Sequence, residues 1–300
     1  MKITQKRTTA KEKIIYVIKP YILYMLIKTV SLFALAIIIP SIPIPGMNGW
    51  VENNSDILST ICNAFASIIA VAFLLKDFIR DVSVSGELDI DANIIKQLLS
   101  YAKNGMFTTA VCNTRQKVIA LVSTVIFGGS LGITLNIAVQ IITDMMNSET
   151  ALGSDKYARV EAIQYSVSMW VGIVLYVIIS PVVEEMVFRG IIYNRAKHFF
   201  GVRKAVLISA LLFGIFHANL PQCIYGVIMG SMMALCYEYI GCFAATVLFH
   251  MSANATVYIL SMAGPAMGES YSKLFTVKGF TVFIVISVVS YVITKKSSAR

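Results

Sequence analysis

Glu184 and Glu185 are adjacent carboxylates, and Arg189 follows within the same turn or so, at the end of the otherwise apolar stretch "SVSMWVGIVLYVIISPVVEEMVFRG". Two more polar groups interrupt apolar runs. One is His217 in "LLFGIFHANL", with Phe213 before it; the other is His250 with Asn254 in "LFHMSANAT". On a helix, positions i and i+4 share a face, so Glu185 can pair with Arg189, and His250 and Asn254 can address one partner. At about 1.5 Å per residue, Glu184 stands roughly 16 Å from Arg195, His217 roughly 20 Å from Lys204 and His250 roughly 13 Å from Gly241. Three apolar segments therefore bring acid, imidazole and amide to one depth. Ionisable side chains inside a membrane are costly, and function is the default reason for them.

The chemistry such a set supports is hydrolysis. A carboxylate and an imidazole holding one water act as general base and later as general acid. A second imidazole and an amide N–H on another helix can stabilise the oxyanion of a tetrahedral intermediate. Arg189 would orient Glu185 and offset the cost of two neighbouring carboxylates. Ser180-Pro181, one turn earlier, removes a backbone hydrogen bond and is expected to kink the helix, opening room for water and substrate. Glu184, His217 and His250 also match the ligand types of a catalytic zinc site. Asn254 is a weak zinc ligand, however, and no H-E-x-x-H is present, so these residues leave a metal-free site and a zinc site both open. Each position also has a plainer reading: an ion pair for Glu185 and Arg189, packing for the histidines, core or site wall for Phe213. Convergence on one depth argues against three unrelated accidents.

The elements that must position these groups are membrane spans. Of 300 residues, 57% are hydrophobic and 14% charged, with a mean hydropathy of +0.75. Soluble domains are nearer a quarter charged. The pattern predicts an all-α, polytopic transmembrane helical bundle of eight spans at 21–40, 57–75, 118–145, 165–187, 205–220, 223–240, 242–262 and 280–294. Three regions are expected: an N-terminal transmembrane region (1–165), a core carrying the candidate site (166–262), and a final span with a basic tail (263–300). "DANIIKQLLSYAKNG" repeats its apolar residues with helical period, and suits either an interfacial cytoplasmic helix or one packed on the bundle. Gly128–Gly132 and Gly226–Gly230 carry the G-x-x-x-G spacing of closely packed helices.

Basic residues set the orientation. Lys2, Lys6, Arg7, Lys11, Lys13 and Lys19 crowd the N-terminal arm, Arg195, Lys197, Arg203 and Lys204 follow the fourth span, and Lys295 and Lys296 close the last. Alternate loops are poor in Lys and Arg, which predicts a multi-pass plasma-membrane protein with both termini cytoplasmic. Glu238 reads as a loop charge. The net charge of +9 is this bias, suited to anionic lipid headgroups. The basic residues lack the aromatic interleaving of a nucleic-acid platform, so no such partner is expected. Five cysteines, Cys62, Cys112, Cys223, Cys236 and Cys242, show no metal-ligand spacing and read as packing residues.

"EEMVFR", "FGIFH" and "HMSAN" fit E-E-x-x-x-R, F-x-x-x-H and H-x-x-x-N, in that order. Over residues 172–258 the chain thus resembles the CPBP family of intramembrane proteases, which includes the eukaryotic CAAX prenyl endopeptidase and bacterial Abi proteins linked to bacteriocin processing and self-immunity. The resemblance implies a buried active site open to cytosol and membrane. It implies that Glu184 and His217 activate water, that His250 and Asn254 stabilise the oxyanion, and that Glu185 and Arg189 hold the site together, without a metal. The substrate would be a membrane-associated or lipidated peptide or protein. Two rivals use the same residues: a non-proteolytic scaffold or immunity protein, and a proton-coupled transporter, which the absence of inverted repeats between the halves disfavours.

Overall fold

The computed structural model describes residues 9–43, 46–82, 94–106, 114–145, 159, 162–268 and 276–297, and the regular structure among them is helical throughout. Lys2, Lys6, Arg7 and Cys112 lie outside the described residues. Helix α1 is Ala10–Ser41, opened by a capping box in which Thr9 and Glu12 each satisfy the other's backbone N–H. Then follow α2 (Met47–Asn53), α3 (Ser55–Val82), α4 (Ile94–Ser100) and α5 (Thr114–Met145). After these come α6 (Met169–Phe200), α7 (Val202–Phe216), α8 (Leu220–Ile240), α9 (Phe243–Met267) and α10 (Val277–Lys296).

Among the described residues, seven of these helices are long and apolar enough to cross a membrane: α1, α3, α5, α6, α8, α9 and α10. Phe33, Ile37, Phe73 and Trp170 point outward, as a lipid-facing surface requires. This is a multi-pass membrane protein. The fifth expected span, 205–220, corresponds to α7, whose 15 residues rise only about 22 Å, short of a hydrocarbon core of about 30 Å. It stops at His217 because Ala218 takes a left-handed conformation (φ 57°) and Pro221 opens the next helix. The turn between α7 and α8 thus lies among the spans.

Helix α6 is the hub, packed against α1, α3, α7, α8 and α9. It is not a uniform α-helix. Ile173–Ile179 and Met186–Tyr193 wind with the wider π period around a short α stretch, Ser180–Glu185. The irregularity expected at Pro181 takes this form, with the Ser180 N–H reaching back five residues to the Leu175 carbonyl. Single π turns inside α-helices recur at functional sites. Around α6, Phe78, Phe188, Ile192, Phe213, Met233 and Phe249 belong to one continuous core.

The fourth span also runs past its expected end at 187 and continues to Phe200. Arg195 and Lys197 therefore sit on a helix, where partners await them. Arg195 is buried against Asp77 (2.7 Å) and Asp81 (2.6 Å) of α3 and donates to the Tyr16 carbonyl of α1 (3.2 Å). Glu238 is not a loop charge: it lies in α8 and accepts from Lys197 (2.5 Å) and Tyr193 (2.8 Å). One polar layer thus ties the start of α1 to the ends of α3 and α6, and α6 in turn to the end of α8.

The glycine patterns mark close approach. A Cβ on Gly128 would come within 2.3 Å of the Phe249 carbonyl oxygen, and one on Gly132 within 3.1 Å of that of Ala253, so α5 lies on the backbone of α9. Hydroxyl pairs join α5 to α10, Ser123 with Thr294 at 2.9 Å and Ser130 with Ser287 at 3.0 Å, the polar contacts that membrane helices use to associate. Leu98 and Tyr101 of the segment after α3 pack on the core while Leu99 is exposed, so this segment meets the bundle along one face.

Candidate active site

Glu185 and Arg189 are wholly buried, both 0% exposed. Their i,i+4 spacing gives the expected pair, Arg189 Nη1 to Glu185 Oε1 at 2.6 Å. The guanidinium also donates from Nη2 to the Gly230 carbonyl (3.0 Å) and stacks 4.7 Å above the Phe213 ring. Gly230 makes room for it, since a Cβ there would stand 3.0 Å from Nη2. Glu185 is satisfied on its other side as well, with Thr246 Oγ1 donating to Oε2 (2.5 Å) and His250 Nδ1 to Oε1 (3.0 Å). A carboxylate held by a cation, a hydroxyl and an imidazole is a fixed part of the framework, because removing Arg189 leaves its charge unpaired and removing either other partner leaves a buried acceptor unsatisfied.

Glu184 faces the other way, into a cavity of about 280 Å³ lined also by His217, His250, Asn254 and Phe213. Space for one water needs only about 10–15 Å³, so the cavity admits water and part of a ligand together. Ser180 Oγ donates to Glu184 Oε1 from one turn earlier, and His250 Nε2 stands 3.8 Å from Glu184 Oε2. His217 Nδ1 is 2.9 Å from the Phe213 carbonyl. A carbonyl only accepts, so Nδ1 carries the proton and the neutral ring keeps its lone pair on Nε2. Phe213 stands edge to face with both imidazoles, its ring centre 5.0 Å from that of His217 and 5.6 Å from that of His250. Asn254 spends one amide hydrogen on the Tyr176 carbonyl (2.9 Å) and retains a second.

All seven residues singled out in the sequence meet here, in two layers. Glu184, His217, His250, Asn254 and Phe213 line the cavity, and Glu185 and Arg189 stand behind it. His198 lies apart, edge to face with Phe199. Two contributors, Thr246 and Lys28, went unnoticed in the sequence, and Ser180 was noted only beside the kink at Pro181, not as a partner of Glu184. Ser180 and Thr246 are ordinary helix residues until their carboxylate partners are known. Lys28 of α1, which also lines the cavity, carried a usable signal, being a cation in the middle of an apolar span. Among the described residues, no three His, Cys, Asp or Glu side chains gather as ligands for one metal ion. The donors a zinc site would use, Glu184, His217 and His250, are not drawn around one point.

Comparison with known proteins follows the same segment. Residues 166–256 match the family model described as type II CAAX prenyl endopeptidase Rce1-like. A protein of Bacillus subtilis (strain 168) named "Putative membrane peptidase YdiL" is 31% identical over 94 residues, covering 30% of this chain. The chain spans 37% of the length of that relative in the matched region. No solved structure matches. The resemblance to CAAX-type intramembrane endopeptidases carried by the three motifs holds over residues 166–256, the stretch that brings Glu184, His217, His250 and Asn254 to one cavity.

Proposed function

We propose that this protein is an intramembrane endopeptidase that hydrolyses a peptide bond in a membrane-associated or lipidated peptide. The observation that carries the proposal is the shared cavity: a carboxylate, two imidazoles and an amide from three helices converge on one water-sized-to-larger space inside a membrane bundle. Glu184, oriented by the Ser180 hydroxyl, and the Nε2 lone pair of His217 hold a water and accept its proton as the oxygen attacks the scissile carbonyl carbon. His250 lies between two carboxylates; in its protonated form it donates from both ring nitrogens, to Glu185 and into the cavity. With the second amide hydrogen of Asn254 it stabilises the oxyanion. Collapse of the intermediate breaks the C–N bond, and the proton first taken from water passes to the leaving amine. The products are a new carboxylate and a new amine. The protein resides in the plasma membrane with both termini in the cytoplasm, and the bilayer is both its solvent and its source of substrate.

The test is cleavage of a fluorogenic lipidated-peptide library by the purified full chain in detergent. Glu184→Ala and His217→Ala should each lower kcat/KM by about 100-fold or more, while a zinc chelator leaves the wild type unchanged. Loss on chelation with recovery on added zinc would assign the water to a metal. A folded wild type that cleaves no member, with both variants equally silent, would favour a scaffold instead.

A further inference from the structure

Lys28 lies in α1, outside the segment that matches known peptidases, yet it lines the same cavity as Glu184 and His217. Its depth follows from the polar layer. The carbonyl of Tyr16 is fixed to Arg195, and Lys28 lies twelve residues deeper along α1, roughly 18 Å. Glu184 lies eleven residues from Arg195 along α6, roughly 16 Å. The ammonium and the carboxylate therefore stand at the same level. A lysine at mid-membrane depth ordinarily snorkels to a surface or pairs with an acid. Lys28 instead rests against aromatic faces, 4.8 Å from the centre of the Phe216 ring and 6.0 Å from that of Tyr24. Among the described residues, no carboxylate lies within ion-pair distance of it. Glu184 acts on the ammonium through space, and because the two make no direct ion pair, a cation kept at this depth by ring faces is open to contact with the anion of a ligand in the cavity.

We infer that Lys28 is a specificity-determining residue that binds the C-terminal carboxylate of the peptide substrate. The inference rests on the endopeptidase reading. A headgroup phosphate stays at the membrane surface and does not reach this level, whereas an apolar segment entering the bundle carries a carboxylate at its own end. Binding it at Lys28 sets which bond lies over Glu184, so cleavage falls close to the C-terminus of the peptide. A charge-assisted hydrogen bond in a dry cavity discriminates strongly against the neutral amide.

The experiment measures binding, so it does not depend on turnover. N-acetylated apolar hexapeptides ending in a free acid, in an amide, or in an amidated glutamate are titrated against full-length wild type, Lys28→Met, Lys28→Arg and Glu184→Gln in detergent. The wild type should bind the free acid about tenfold or more tightly than either amide. Lys28→Met should lose that preference, Lys28→Arg should keep it, and Glu184→Gln should keep it while abolishing cleavage. Equal binding of acid and amide by the wild type, no binding of any peptide, a preference that survives in Lys28→Met, or an amidated glutamate bound as tightly as the free acid would each overturn the assignment. Intact preference with no cleavage of any peptide would sink the endopeptidase reading and leave the anchor standing.

Discussion

Two neighbouring carboxylates divide the work at the residue scale. Glu185 accepts from Arg189, Thr246 and His250, whereas Glu184 is oriented by Ser180 and faces the cavity. Truncating one member of a buried ion pair leaves the other charge unpaired, so Arg189→Met should cost about 3–5 kcal/mol, read from denaturant unfolding in detergent. Glu184→Gln should change stability by less than about 1 kcal/mol, since its carboxylate contacts the open cavity, while cleavage falls by about 100-fold or more. Similar losses of stability in both variants would remove the distinction between framework and chemistry. Much of this layering was legible in the sequence. The i,i+4 spacings of Glu185 with Arg189 and of His250 with Asn254 follow from helix geometry alone. The partners on other helices were not, because whether Thr246 or Gly230 meets Glu185 or Arg189 depends on how α6, α8 and α9 are rotated, and apolar periodicity says little about rotation in a helix that is apolar all round.

At the scale of the element, hydropathy located the spans better than their ends. A run of apolar residues ends where charge begins, but a helix ends where its backbone hydrogen bonds do. The fourth span continues through Arg195 and Lys197 because Asp77, Asp81 and Glu238 receive their charges. The fifth is cut short at His217 by the left-handed Ala218 and by Pro221. Close packing was better encoded, in glycines with the small-residue spacing. Gly128→Ala should test the α5–α9 contact severely, since its Cβ would fall 2.3 Å from a backbone oxygen that no rotamer change can move. We expect about 1–3 kcal/mol of destabilisation. Gly49→Ala, with no atom within 4 Å of the added Cβ, is the matched control. Equal stability of the two variants would mean that α5 and α9 can separate at little cost.

At the scale of the whole molecule, the polar layer and the cavity occupy different levels. The layer gathers the ends of α3 and α6 around Arg195 and Lys197, while Thr60 and Asn63 near the start of α3, Asn136 near the end of α5, and Gln164 line the cavity from the opposite side. In the proposed orientation, with both termini cytoplasmic, the cavity extends toward the outer face, whereas the family resemblance implies an opening to the cytosol. In a chain whose cysteines are replaced by serine, Asn63→Cys should react with a membrane-impermeant maleimide added to intact cells, and Lys197→Cys only after permeabilisation. The reverse pattern would invert the orientation. The cavity also has two kinds of wall. Residues 166–256 supply the groups that would perform the reaction, while α1, α3 and α5, which lie outside that segment, contribute Lys28, Asn63 and Asn136. On the proposed function, the front half of the chain would choose what enters and the back half would act on it. Exchanging α1 between two such proteins would alter diet and leave chemistry alone. A lineage could change its prey by redrawing one helix without touching a single reacting group.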